Sequence, residues 1–354
     1  MEVRMNIAKK KTISWIAFML LVLFLVSVCQ SWAAKVKYTD HDPPTGIRTG
    51  FVKDVWLPAI EEFSNGQIEI QDFWGGTLLG SKEVLNGVGD GITQMGFVYP
   101  GHYPGQLAVH TIFKLFPRGP AKFSDMVWFY RKVYEEVPEL NEELKKANIK
   151  VLMITAGLPG AFCGTKEINS LDDIQGDKWR ASGKWALRFL ENAGAVPVSV
   201  PWGDIYMALQ TGTIKGCFTN YDGIHMMKFD EVAPNLLVSK ELWFAIPFLH
   251  VVNLDWYEKQ PEVVRKALEK ASVMAEEKFA NIYDKAFDQI MAEQKAAGVV
   301  VTTMSEADVA KWENKSELAK LQAQWVAEAE KNGLTTAKSV MEKVRAIHQQ
   351  AMER

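Results

Sequence analysis

Short strand-like segments alternate with helical ones at a pace that fits parallel βαβ units, and the alternation runs through the chain twice. The first run opens with Val36–Thr39, which enters the loop Asp40-His41-Asp42-Pro43-Pro44. A helix over Trp56–Phe63 follows, with Trp56, Ile60 and Phe63 at helical spacing and Gly66 as terminator. Ile68–Gln71 alternates as a strand does, Leu78–Val88 reads as helix and Ile92–Val98 as strand. The pattern restarts at Lys150–Ile154. It continues through Arg180, a helix over Lys184–Ala193, a strand around Val196–Val198, a helix over Trp202–Thr211 and a strand over Gly216–Phe218. From Pro261 the alternation stops: one helical stretch runs to Gly298, another over Ser305–Asn332, and a last from Thr335 to the end. The expectation is an α/β protein of two domains braced by a long helix. Residues 34–157 with about 246–285 would form the first domain; 158–245 with about 286–354, including the C-terminal helices, would form the second.

Residues 1–33 read as an export signal. Arg4, Lys9, Lys10 and Lys11 precede the apolar run Ile13–Val28, and Ser31-Trp32-Ala33 places small residues where a signal peptidase reads, with cleavage at Ala33 or Ala34. The run is short for a membrane span, which needs about 20 residues. Removing the basic leader leaves a chain more acidic than the formal −3 of the whole, which argues against nucleic acid or an anionic membrane as partner. Two cysteines remain after the leader, Cys163 and Cys217; a disulfide between them or two buried thiols both fit their placement.

No catalytic signature stands out. G-x-S-x-G, H-E-x-x-H and a Walker loop are all missing, and the histidines (His41, His102, His110, His225, His250, His348) do not pair at ligand spacing. The expectation is therefore a protein without metal or cofactor. The informative stretch is Lys178-Trp179-Arg180-Ala181-Ser182-Gly183, which sets an arginine at the end of a short strand, just before a helix. In an open α/β sheet that end faces the ligand crevice. A guanidinium there is a rigid, permanently charged fork that matches a carboxylate with two hydrogen bonds.

Several blocks, in order, resemble the DctP-type solute-binding subunit of tripartite ATP-independent periplasmic (TRAP) transporters. They are Gly-Gly-Thr-Leu-Leu-Gly-Ser-Lys-Glu (75–83), the segment from Ile168 to Arg180, Gly-Ala-Val-Pro-Val (194–198), Asp-Ile-Tyr-Met-Ala-Leu-Gln-Thr-Gly (204–212) and Lys-Phe-Asp-Glu-Val (228–232). The resemblance implies a two-domain periplasmic binding protein fold with a hinge and a long bridging C-terminal helix. It also implies a small organic acid closed in an interdomain cleft and delivered in the periplasm to a sodium-driven membrane permease, with no membrane insertion of the mature chain. It implies Arg180 as the carboxylate anchor, Asn220 as a hydrogen-bond partner of the same carboxylate, and Trp202 as an aromatic wall. The opposing domain would supply loops carrying His41, Trp74 and Tyr99. The chain departs from the family pattern at Lys215-Gly216, where Asp-Gly is usual. It also has no basic residue over Leu158–Phe162, which argues against a doubly charged or heavily polar ligand such as a sialic acid. Aromatic loops and a single matched arginine point to a monocarboxylate, of aromatic or 2-oxo type. The other readings are a sensor or adaptor module of the same fold and an exported enzyme.

Overall fold

The computed structural model describes residues 33–243 and 246–354; nearly all of the segment read as an export signal lies outside the described residues. Eleven strands, numbered along the chain, form two sheets among the described residues. The first holds β1 (Ala34–Thr39), β2 (Ile68–Phe73), β3 (Met95–Val98), β4 (Ile149–Thr155) and β10 (Phe248–Asn253), in the order β2-β1-β3-β10-β4. The second holds β5 (Gly160–Gly164), β6 (Lys178–Arg180), β7 (Val196–Val198), β8 (Gly216–Asn220), β9 (Asn235–Val238) and β11 (Val300–Thr303), in the order β11-β9-β5-β8-β6-β7. The central strands β3, β5, β8 and β10 are buried along their whole length, as helices on both faces require.

The expected parallel units are present: β1 pairs in parallel with β2 and β3, and β6 with β7 and β8. Two strands break the pattern. β10 runs antiparallel to β3 and β4, and β5 runs antiparallel to β8 and β9. The reason is topological. Both arrive from the other lobe, so each starts at the cleft, where the native strands of its sheet end. Gly160 thus lies opposite Asn220, and Phe248 opposite Thr155.

A helix over Glu262–Ala296 joins the lobes, and at about 1.5 Å per residue it spans roughly 50 Å. Its buried stripe serves both. Ser272 accepts from Trp56 Nε1, and Phe279 meets Phe51 in the first lobe; Phe287 meets Tyr221, and Gln294 donates to Asp230 in the second. Midway, Tyr283 Oη donates to the carbonyl of Gly157 in the β4–β5 crossing, at 3.0 Å. The final helices, Lys315–Lys331 and Ala337–Met352, pack on the first lobe rather than the second, where the domain expectation grouped them. Trp325 Nε1 donates to Thr111 Oγ1, Gln322 donates to the Leu115 carbonyl, and the His348 ring lies on Phe116 and Phe129. They do so because their apolar stripes match the aromatic face of the helix Phe123–Glu136 and its neighbours, a surface not visible in local periodicity.

The helix Glu306–Glu313 stays with the second lobe. Its Trp312 seals one face of that sheet against Phe162, Phe218 and Phe189. Cys163 and Cys217 are buried thiols directly opposite each other on β5 and β8, with Sγ atoms 3.2 Å apart. Trp312→Ala should cost about 3–5 kcal/mol in urea unfolding, through lost burial and the cavity left behind; a loss below about 1 kcal/mol would show that Trp312 does not close this core.

Candidate ligand-binding site

The strand ends that face each other across the lobes form a narrow hollow open to solvent. This is the carboxyl-end crevice that open α/β sheets use for ligands. Its first-lobe wall comes from the loop after β1, the residue after β3 and the start of β10. Its second-lobe wall comes from the ends of β6 and β8 and the loop before the helix Ile205–Gln210.

Arg180 ends β6 and is 4% exposed. Its Nε donates to the Val200 carbonyl at 3.1 Å, which fixes the plane of the guanidinium, and Trp202 lies beside it with the ring centre 5.8 Å from Cζ. Nη1 is buried and donates to no described residue. Burial lowers the arginine's pKa, but an arginine keeps its charge in a protein, so an unpaired cation faces the hollow. Asn220 ends β8 three residues beyond Cys217, which lies level with Arg180. Its amide donates to Asp222 Oδ1 at 2.7 Å and accepts from Thr219 Oγ1 at 3.1 Å. The space it fills explains Gly157: a Cβ there would lie 2.7 Å from Asn220 Cβ.

Of the residues expected at the site, Arg180, Asn220, Trp202, Tyr99 and His41 all line the hollow. His41 stacks on Phe97 at 5.1 Å, and Tyr99 meets Phe248 edge-on. Trp74 does not line it. Its indole packs on Tyr38 and donates to Asp72, because β1 and β2 pair in register and hold the loop after β2 beside the sheet edge.

Sequence reasoning missed the polar network behind the first-lobe wall. Arg48, in the helix Ile47–Phe51, is 4% exposed and lies 3.6 Å above the Phe97 ring. It donates to both oxygens of Asp40, at 2.6 and 3.1 Å, and to Asp42 Oδ2 at 2.7 Å. Tyr38 Oη donates to Asp40 at 3.1 Å, and His250 Nδ1 lies 3.2 Å from the same hydroxyl. His250 Nε2 then meets Thr155 Oγ1 at 3.0 Å, at the end of β4. On its other side the network crosses the cleft, since Trp202 Nε1 donates to Asp42 Oδ1 at 3.1 Å. The available signal was the pair Asp40 and Asp42 followed six residues after Asp42 by Arg48. Asp222 was also missed. It accepts from the backbone N–H of Leu158 at 2.8 Å, in the β4–β5 crossing, and burial pushes its pKa upward.

The electrostatics separate charged from neutral groups. Burial would raise the Asp42 carboxyl, but the neighbouring His41 and Arg48 outweigh it and hold the pKa below the usual value. His102 is driven down to about 3, by burial first and then by His41, and burial together with Arg48 holds His250 well below its ordinary value. Both imidazoles are therefore neutral at pH 7. His41 Nδ1 and His102 Nδ1, like Arg180 Nη1, are buried without a hydrogen-bond partner among the described residues. No group of three or more metal-ligating side chains occurs among the described residues. The arrangement suits a small anion with a flat apolar body: one oriented cation, aromatic walls and a few polar atoms.

A two-lobed fold with an arginine-headed cleft is that of a solute-binding protein. The chain belongs to the DctP family, bacterial extracellular solute-binding protein family 7, which matches residues 44–328. It is 25% identical over 277 residues to a monocarboxylate 2-oxoacid-binding periplasmic protein of Nostoc sp., covering 74% of this chain and 72% of that one. Its fold is that of a TRAP solute-binding protein from an unidentified marine microbe, specific for aromatic acids and solved with 3-hydroxybenzoate. The TM-score is 0.78 at 21% identity, covering 90% of this chain and 99% of that one. A second marine TRAP protein, solved with pyroglutamate, matches with TM-score 0.76 at 19% identity, covering 89% and 99%.

Two outcomes test the site. Arg48→Met leaves Asp40 and Asp42 buried without their cation and should destabilise the protein by about 3–5 kcal/mol in denaturant unfolding; a near-neutral result would mean the pair is solvated. His102 and His250 have folded pKa values below the unfolded 6.5, so between those values the unfolded chain binds more protons. Stability should therefore fall as pH drops below about 6.5, and the fall should be shallower in His102→Gln, read as melting temperature against pH.

Proposed function

We propose that the protein captures a small monocarboxylic acid, aromatic, cyclic or 2-oxo in type, between its lobes and hands it to the membrane permease of a sodium-driven TRAP transporter. Arg180 carries this reading: a buried guanidinium, locked in plane by Val200, with Nη1 unpaired and turned to a hollow walled by Phe97 and Trp202. An unpaired buried charge is costly, and a carboxylate relieves that cost through charge-assisted hydrogen bonds worth about 1.5–3 kcal/mol. The 2-oxoacid named for the Nostoc protein, and the 3-hydroxybenzoate and pyroglutamate bound by the two marine proteins, support the same ligand class.

Capture works by lobe closure. The ligand touches both walls, so it favours the closed arrangement by its extra contacts there. The Trp202–Asp42 hydrogen bond belongs to that arrangement, because its partners lie on opposite lobes. The site of action is the periplasm, with the N-terminal segment as the export signal. Among the described residues no helix is long and apolar enough to cross a membrane. The ligand is bound and released chemically unchanged, without metal or cofactor.

A thermal-shift screen of the purified protein against aromatic, 2-oxo, cyclic, dicarboxylic and sugar acids tests this. An acid at about 100 times its dissociation constant should add about 2.7 kcal/mol of stability. The shift should vanish in Arg180→Ala and be strongly reduced in Arg180→Lys, which keeps the charge and loses the fork. No shift with any carboxylic acid, in folded and ligand-free protein, would overturn the reading; equal affinity in Arg180→Lys would overturn the anchor.

A further inference from the structure

Two groups on the second-lobe wall of the hollow have spare hydrogen-bonding capacity of opposite kinds. Arg180 Nη1 is a donor without an acceptor. Asp222 is an acceptor only partly used: Oδ1 takes both the Leu158 N–H and the Asn220 amide, the carboxyl also takes its own backbone N–H, and no other described residue donates to Oδ2. Both residues line the hollow, and both are set by β-strand ends, Asp222 two residues past β8 and Arg180 at the end of β6. Asp222 is joined to Asn220 by a hydrogen bond of 2.7 Å, so it faces the hollow beside that strand end.

The other charges are already spent. Arg48 serves Asp40 and Asp42 together, and the remaining oxygen of Asp42 accepts from Trp202. Arg180 is left as a lining cation without a carboxylate partner among the described residues, and a ligand carboxylate fills that place. An ionised Asp222 would repel a second ligand carboxylate. A ligand that brings an N–H or O–H donor instead gives Asp222 Oδ2 its partner.

We propose that Asp222 is a specificity-determining residue that receives a hydrogen-bond donor on the body of the bound acid, so that the site selects monocarboxylic acids bearing an N–H or O–H group over donorless acids and over dicarboxylates. This rests on the carboxylate-binding reading of Arg180. Asp42 is the poorer receiver, because each of its oxygens already takes a side-chain donor, from Arg48 and from Trp202. Burial raises the Asp222 pKa, and the hydrogen bonds from Asn220 and Leu158 only partly offset it.

Isothermal titration with matched acids tests it: 3-hydroxybenzoate against benzoate, pyroglutamate against cyclopentanecarboxylate, and succinate as the dicarboxylate. The wild-type protein should bind the donor-bearing member of at least one pair about tenfold tighter or more, and succinate weakest. In Asp222→Ala that ratio should fall to within about threefold. Asp222→Asn, whose amide oxygen still accepts from Leu158 N–H, should lose the ratio too while keeping the wild-type melting temperature. Equal affinity within every pair for the wild type, or an undiminished ratio in both variants, overturns the proposal and leaves the carboxylate reading standing. Failure of every acid to bind the wild type overturns both.

Discussion

Two buried carboxylates share one buried guanidinium, and the cleft depends on that arrangement. Asp40 and Asp42 leave the end of β1 pointing inward, where ionised carboxylates are expensive unless paired. Arg48 pairs with both and lies flat on Phe97, so its own desolvation is offset by an aromatic face. The loop between β1 and the helix Ile47–Phe51 is thereby fixed, with His41 held between Phe97 and His102. Removing any member would loosen a wall rather than a single contact, because the chain of hydrogen bonds runs from Thr155 to Trp202 without a gap.

That run links the end of β4 to the opposite lobe. Thr155 is the last residue of β4, two before Gly157, whose carbonyl is held by Tyr283. Trp202 belongs to the opposite lobe. Asp222 repeats the theme from the other side, binding a crossing residue, Leu158, while facing the hollow. The wall of the hollow and the β4–β5 crossing are therefore built from the same few side chains. The exposed pair Lys184–Glu328, which also joins the lobes, adds little by comparison, since exposed ion pairs contribute about 0–1 kcal/mol.

The alternation of period-2 and period-3.6 patterns made the two α/β lobes and the long helix legible, and the strand-end position of Arg180 made the cleft legible. What escaped has physical reasons. β5 and β10 are buried on both faces and show no alternation, and their direction depends on a crossing that no local pattern records. The aromatic count suggested Trp74 as a wall, but aromatic character says nothing about which side of a sheet edge a loop falls on. Arg48 was invisible because a lone arginine in a short helix usually lies on the surface; only its two carboxylate partners, six and eight residues back, bring it inside. Asp222 was legible only once the β4–β5 crossing had been placed against it.

The return of the last two helices to the first lobe has a consequence for how the chain assembles. That lobe is stitched from three separate stretches: the N-terminal strands, β10 with the first half of the long helix, and the helices Lys315–Lys331 and Ala337–Met352. The second lobe, which begins later in the sequence, has all its strands and its sealing Trp312 before residue 314. A chain delivered amino end first therefore finishes its second lobe before its first. Until the carboxyl terminus arrives, the side of the helix Phe123–Glu136 that meets the helix Ala337–Met352 stays uncovered, and β10 is the strand that joins β3 to β4. The slowest and most exposed species on the way to the native state should be one with a finished second lobe and an open first, since contacts between distant segments form last.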